Sequence, residues 1–260
     1  MGQRILTSLV VGSNGHIGKA ICSRLTDEGR FIIGIDRDRQ TNQVVDHQIT
    51  IDLTESNKGW PEKLFLQISK DLERHGPIQQ LVYCAAYVGS SEIPGWSVPF
   101  FDQDLQLNEP VAQVGFLSFV EMVRIFERKN SFAPAARILA ISSIYSEAGV
   151  IPHLYQSKDI NFYMPLLYGS TKAALNYSVK YLSQEYPTLG INALVLGGLY
   201  RNQPKEFVDA YVKRTLRSQM LDEDSVAETI IFLLSENSKS IAGQLIEYSA
   251  GFNFKHHLFL

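Results

Sequence analysis

The chain is poor in cysteine: Cys22 and Cys84 are its only two thiols in 260 residues. So few cannot staple a small secreted scaffold. One falls in a helical pattern and the other ends an apolar run, so both read as buried thiols suited to a reducing cytoplasm. An excess of basic charge is lacking too, because 24 Lys and Arg against 27 Asp and Glu leave a net charge of −3. That balance gives no electrostatic footing for nucleic acid or an anionic membrane. No apolar run reaches the ~18 residues of a membrane helix. The short run Ile5–Val11 leads into glycines and reads as a strand, not a signal peptide. Repeats, low-complexity stretches and linkers are missing, which leaves one domain over 1–260. No metal is expected, since the adjacent His256 and His257 come without further ligands.

Short apolar runs alternate with longer helical patterns. Strands are expected at Ile5–Val11, Phe31–Ile35, His47–Ile51, Gln80–Tyr83, Arg137–Ile141, Ile191–Leu196 and Gln244–Glu247. Several are rich in Val, Ile and Leu without polar alternation, as strands covered on both faces should be. Helices are expected at Ile17–Glu28, Lys58–Arg74, Leu105–Lys129, Leu167–Glu185, Lys205–Leu216 and Glu223–Leu234. This order predicts an α/β fold: a single doubly wound, Rossmann-type domain with a mostly parallel seven-stranded sheet and flanking helices. Stretches at about 87–100, 144–165 and 197–217 follow strands. They should emerge at the carboxyl edge of the sheet, where ligands bind in open α/β folds, and form the substrate loops.

Gly12-Ser-Asn14-Gly15-His16-Ile17-Gly18 lies between a strand and a helix. Glycines permit a tight turn and let a pyrophosphate approach the backbone, and the helix N-terminus supplies N–H donors. Asp36 closes the next strand at the spacing of an acid that accepts from an adenosine ribose diol and repels a 2′-phosphate. NAD is therefore favoured. NADP stays open, because the adjacent Arg37 offers a guanidinium for that phosphate. Asp52-Leu53 ends the third strand, either beside the adenine ring or as a plain polar turn.

Tyr168 and Lys172 lie four apart in Leu167-Tyr-Gly-Ser-Thr-Lys172-Ala-Ala-Leu175, one turn from each other on a helix face. An ammonium there favours the phenolate and pulls the Tyr pKa down from about 10, giving a general acid/base. Ser143 ends the apolar run upstream.

In this order the glycine turn, Asp52-Leu53, Ser143 and Tyr168-Gly-Ser-Thr-Lys172 resemble the short-chain dehydrogenase/reductase family over essentially the whole chain. The resemblance implies a tetrad of Asn108, Ser143, Tyr168 and Lys172. Ser143 would hold the reacting oxygen and Tyr168 would exchange its proton as hydride moves to or from nicotinamide C4. Lys172 would also hold the nicotinamide ribose, and Asn108 would fix a relay water. Ala85 and Ala86 fall on the cofactor, and Gly198 and Leu199 border the nicotinamide. The chain departs from the family pattern at Val11 before the first glycine, at Tyr83-Cys84-Ala85-Ala86 in place of Asn-Asn-Ala-Gly, and at Leu196 in place of Pro.

A closer likeness lies in Ser142-Ser143-Ile144-Tyr145 and Gly197-Gly198-Leu199-Tyr200-Arg201-Asn202-Gln203-Pro204. These resemble a bacterial subgroup tied to surface-glycan and flagellin-glycan assembly. That implies a small sugar or amino-sugar substrate, phosphorylated or nucleotide-linked. Tyr145, His153 and Tyr155 would offer polar contacts, and Arg201 would pair with a phosphate or else point to water. A carbonyl reductase of a small apolar ketone and a turnover-deficient nucleotide-binding regulator are the alternatives. The apolar tail Phe252–Leu260, with the habit of relatives, leads to an expected homodimer or homotetramer.

Overall fold

The computed structural model describes residues 6–39, 44–54, 59–87, 93–149, 152–157 and 160–252. Its strands are β1 (Thr7–Val11), β2 (Phe31–Asp36), β3 (His47–Thr50), β4 (Ile78–Tyr83), β5 (Phe132–Ser143), β6 (Gln156–Ser157), β7 (Ile160–Asn161), β8 (Gly190–Leu196) and β9 (Leu245–Tyr248). Seven of them form one sheet in the order β3-β2-β1-β4-β5-β8-β9, and every neighbouring pair is parallel. The expected mostly parallel sheet is thus wholly parallel. The strand order reverses between β1 and β4, which opens a crevice at their carboxyl ends.

Helices α1 (His16–Asp27), α2 (Trp60–His75), α4 (Ser118–Arg128), α6 (Leu166–Glu185) and α8 (Glu223–Leu234) cover the sheet. Successive strand residues face opposite sides. Leu9 and Val11 join Leu64 of α2, Phe119 of α4 and Leu175 of α6 in one core. Val10 joins Ile21 of α1 and Ile230 of α8 in the other. Cys22 is buried in that second core and Cys84 is half-buried just past β4; neither forms a disulfide. No helix among the described residues is long and apolar enough to cross a membrane. No group of three or more potential metal ligands occurs among them.

The continuous helix expected over Leu105–Lys129 is broken. A 3₁₀ turn (Leu105–Leu107) leads into α3 (Asn108–Ala112), a π-helical turn (Gln113–Leu117) and α4. The cause is tertiary. A Cβ on Gly115 would lie 2.6 Å from the Thr171 side chain, so α6 presses directly against this turn. The widened turn frees a carbonyl, and the buried Tyr83 hydroxyl donates to Val114 O at 2.6 Å. β5 begins at Phe132, five residues early, with Ala135 at φ +58° and a register shift against β4. α7 (Lys205–Val212) ends before the expected Leu216, continuing as turns. The aperiodic stretch after Ser143 holds a 3₁₀ turn (Ile144–Ser146), the short α5 (Pro152–Tyr155) and the antiparallel pair β6-β7.

Candidate active site

β1 delivers the glycine turn to the crevice. Gly12 adopts φ +83° and donates to Ile35 O at 2.7 Å, and Gly15 donates to Gly12 O at 3.1 Å. A Cβ on Gly18 would stand 2.1 Å from Gly12 O, so the first turn of α1 rests on the loop backbone. Asp36, at the end of β2, accepts from the backbone N–H of Asn14 at 2.9 Å and of Asp38 at 3.2 Å. A carboxylate offers about four lone-pair sites, and the described residues fill two of them. Arg37 is exposed, with Nε 3.7 Å from Asp38. Asp52 closes a turn by accepting from Thr54 N at 2.9 Å, so the plain-turn reading holds while the residue also borders the cavity. The buried Asn14 Oδ1 has no partner among the described residues. The glycine cradle, the Asp36 acceptor and this orphan oxygen fit a dinucleotide.

All the residues matched to the cofactor line one cavity of about 1000 Å³: Gly12, Asn14, Gly15, His16, Ile17, Gly18, Asp36, Arg37, Asp52, Leu53, Ala85, Ala86, Tyr168, Lys172, Gly198 and Leu199. Ser143, Tyr145, Tyr155 and Arg201 line it too. His153 lies on α5, and its side chain falls outside the described residues, as do 253–260 of the tail and 88–92 of the first loop.

Ser143 ends β5 and Tyr168 and Lys172 sit on α6, so sheet edge and helix meet at the reacting groups. Burial pushes the Tyr168 phenol up; a hydrogen bond from Ser143 and the nearby Arg201 charge pull it back down. That corrects the expectation that Lys172 supplies the downward pull. The Lys172 ammonium stands 6.0 Å from the Tyr168 ring centre and donates to Ile141 O at 2.7 Å. Burial lowers the Lys172 pKa to about 8. Asn108 is a second correction: it is exposed at the first residue of α3 and does not line the cavity. Val114 of the π-helical turn borders the cavity instead. Asn108 follows directly on the 3₁₀ turn Leu105–Leu107, and the π-helical turn comes after it, so the segment is not the one straight helix expected.

The outer end is aromatic. The Tyr145 and Tyr155 hydroxyls are hydrogen-bonded to each other, and burial pushes both phenols up. Phe207 and Tyr211, four apart on α7, carry the ring stack on, and the Tyr211 hydroxyl accepts from Gly198 N. These two and the buried Trp96 are not among the expected site residues; for Phe207 and Tyr211 the signal is their i,i+4 aromatic spacing in the loop-to-helix stretch after β8. Arg201 donates its backbone N–H to Gln203 Oε1 at 2.7 Å, and Gln203 donates to Leu199 O at 2.7 Å, so the loop carrying the guanidinium is braced.

Residues 11–253 match the family described as enoyl-(acyl carrier protein) reductase. The chain is similar to "Post-translational flagellin modification protein A" of Campylobacter coli, 25% identical over 256 residues covering 93% of this chain and 96% of that one. Its fold is similar to a short chain dehydrogenase of Leptospira borgpetersenii with bound NAD+, at TM-score 0.80, 21% identity and coverage of 96% and 94%. It is also similar to the aldohexose dehydrogenase of Thermoplasma acidophilum, at TM-score 0.74, 18% identity and coverage of 96% and 94%. With the family match spanning nearly the whole chain over a fold and cavity of this kind, the chain belongs to the short-chain dehydrogenase/reductase family of NAD(P)-dependent oxidoreductases.

Proposed function

We propose that this enzyme uses NAD to interconvert a secondary alcohol and a ketone on a sugar or amino-sugar intermediate of surface-glycan synthesis, one that is phosphorylated or nucleotide-linked. The observation that carries this reading is the single cavity running from Asp36, past Ser143 and Tyr168, to Arg201. The name of the flagellin-modification relative supports the glycan context. The Asp36 carboxylate at the end of β2, and Arg37 turned beside Asp38, support NAD over NADP.

When bound, the nicotinamide supplies the hydride exchange. The chain's own residues do the rest. Ser143 holds the reacting oxygen by its hydroxyl, and Tyr168 takes the alcohol proton or returns it to the ketone. Lys172, its charge destabilised by burial, holds the ribose, while the Ser143 hydroxyl and the Arg201 charge favour the phenolate. Tyr145 and Tyr155 face the sugar hydroxyls, and Arg201 pairs with the phosphate. The enzyme works in the cytoplasm as a homodimer or homotetramer. The exposed Tyr177 and Tyr181, one turn apart on α6, support self-association.

Titration with NADH and NADPH, followed by cofactor fluorescence, tests the cofactor end. NADH should bind the tighter; preference for NADPH would transfer the ribose site from Asp36 to Arg37. A panel of sugar phosphates and nucleotide sugars against small apolar ketones tests the other end, and turnover confined to the ketones would sink the sugar reading.

A further inference from the structure

Arg201 and His16 come from opposite halves of the fold and meet at one atom. His16 Nδ1 lies 3.1 Å, and Arg201 Nε 3.5 Å, from the same oxygen, Glu223 Oε1. His16 opens α1 in the glycine turn, Arg201 rides the loop after β8, and Glu223 is the first residue of α8. The meeting is built into the backbone. Leu199 and Leu221 form a parallel bridge, with Leu221 N donating to Gly198 O at 3.0 Å and Tyr200 N to Leu221 O at 2.8 Å. Arg201 and Glu223 each follow two residues after a bridge partner, so the register brings them side by side. Asp222 caps α8 by accepting from Ser225 N at 2.8 Å, and Arg24 of α1 reaches Glu228 at 3.2 Å. Glu223 is thereby held over the start of α1.

We propose that Glu223 is a positioning residue that clamps Arg201 to the glycine turn and occupies its guanidinium until a phosphate group displaces the carboxylate. This rests on the reading of Arg201 as the phosphate contact. The magnitudes allow the exchange. Glu223 is about a third exposed and Arg201 more, and ion pairs of that kind hold by at most about 1 kcal/mol. A phosphate dianion offers more charge and a bidentate fit to the same fork. The carboxylate therefore holds the side chain in place, yet yields to an anion and not to an uncharged sugar. Selectivity for the phosphorylated substrate follows.

The test is calorimetric titration of inorganic phosphate into NADH-saturated protein, so that the dinucleotide end is already filled. Glu223→Gln should bind phosphate about fivefold tighter than the wild type, the factor matching loss of one exposed competing ion pair. Glu223→Asp should return most of the way to wild-type affinity. Arg201→Ala should lose phosphate binding alone and in combination with Glu223→Gln. If Glu223→Gln binds no tighter while Arg201→Ala still loses binding, the clamp is overturned and Arg201 keeps its role. If Arg201→Ala binds as the wild type does, the phosphate reading of Arg201 fails and takes the clamp with it. No phosphate binding by Glu223→Gln also overturns the clamp. NADH affinity measured in each variant separates these results from a disturbed fold.

Discussion

Tyr168 is the proposed acid/base, and its hydroxyl can be removed without changing the shape of the site. Tyr168→Phe should cut turnover by about 10²–10⁴ on the substrate found in the panel, the usual worth of a positioned acid/base. NADH affinity should stay near the wild-type value. Substantial residual turnover would move the proton transfer elsewhere. Lys172 makes a thermodynamic prediction of its own. Its folded pKa of about 8 lies below the ordinary 10.5, so the unfolded chain binds the extra proton between those values. Stability attributable to this site is therefore present above the unfolded pKa and is lost as pH falls toward 8. Denaturant midpoints of wild type and Lys172→Met, compared at pH 7 and 9.5, should diverge in the wild type's favour by about 2 kcal/mol at the higher pH. The i,i+4 spacing made both residues legible in the sequence, because a helix fixes that neighbourhood locally. Glu223 was not legible: its partners arrive through a strand bridge and a helix–helix contact that no local period encodes.

At the scale of elements, the strands and the outer helices could be read from hydrophobic period alone. β1 and β8 are buried along their whole length, and α8 turns Val226, Ala227, Ile230, Leu233 and Leu234 into the core at helical spacing. The misread element was the helix through Leu105–Lys129. Its π-helical turn exists because α6 approaches Gly115 at Thr171, and a contact between distant segments leaves no local trace. Asn108 stays exposed at the start of α3, outside the cavity that Val114 borders. The glycine turn behaves in the opposite way, since its constraint is local. Gly18→Ala would force its new methyl against Gly12 O, a 2.1 Å approach that only displacement of α1 relieves. The variant should lose about 1–3 kcal/mol of stability and bind NADH at least about tenfold more weakly. Unchanged NADH affinity would show that the pyrophosphate sits off this turn.

For the whole molecule, the cavity touches the carboxyl ends of β1, β2, β3, β4, β5 and β8, so its occupant bridges both halves of the sheet. NADH held at about a hundred times its Kd should raise the unfolding free energy by about 2.7 kcal/mol, seen as a higher melting temperature. A shift confined to one phase of a two-phase melt would mean that the halves unfold separately. The parallel order that gathers the cavity at one rim puts the strand starts at the opposite one. There the chain turns at Gly29, at Gly76 and at Asn130, with positive φ at each, and a side chain built on either glycine meets nothing within 4 Å. None of the three borders the cavity. A fluorophore, a purification tag or a surface tether placed on that rim would leave the mouth free and hold every molecule with its reactive side outward, so an immobilised preparation should keep the turnover of the free protein.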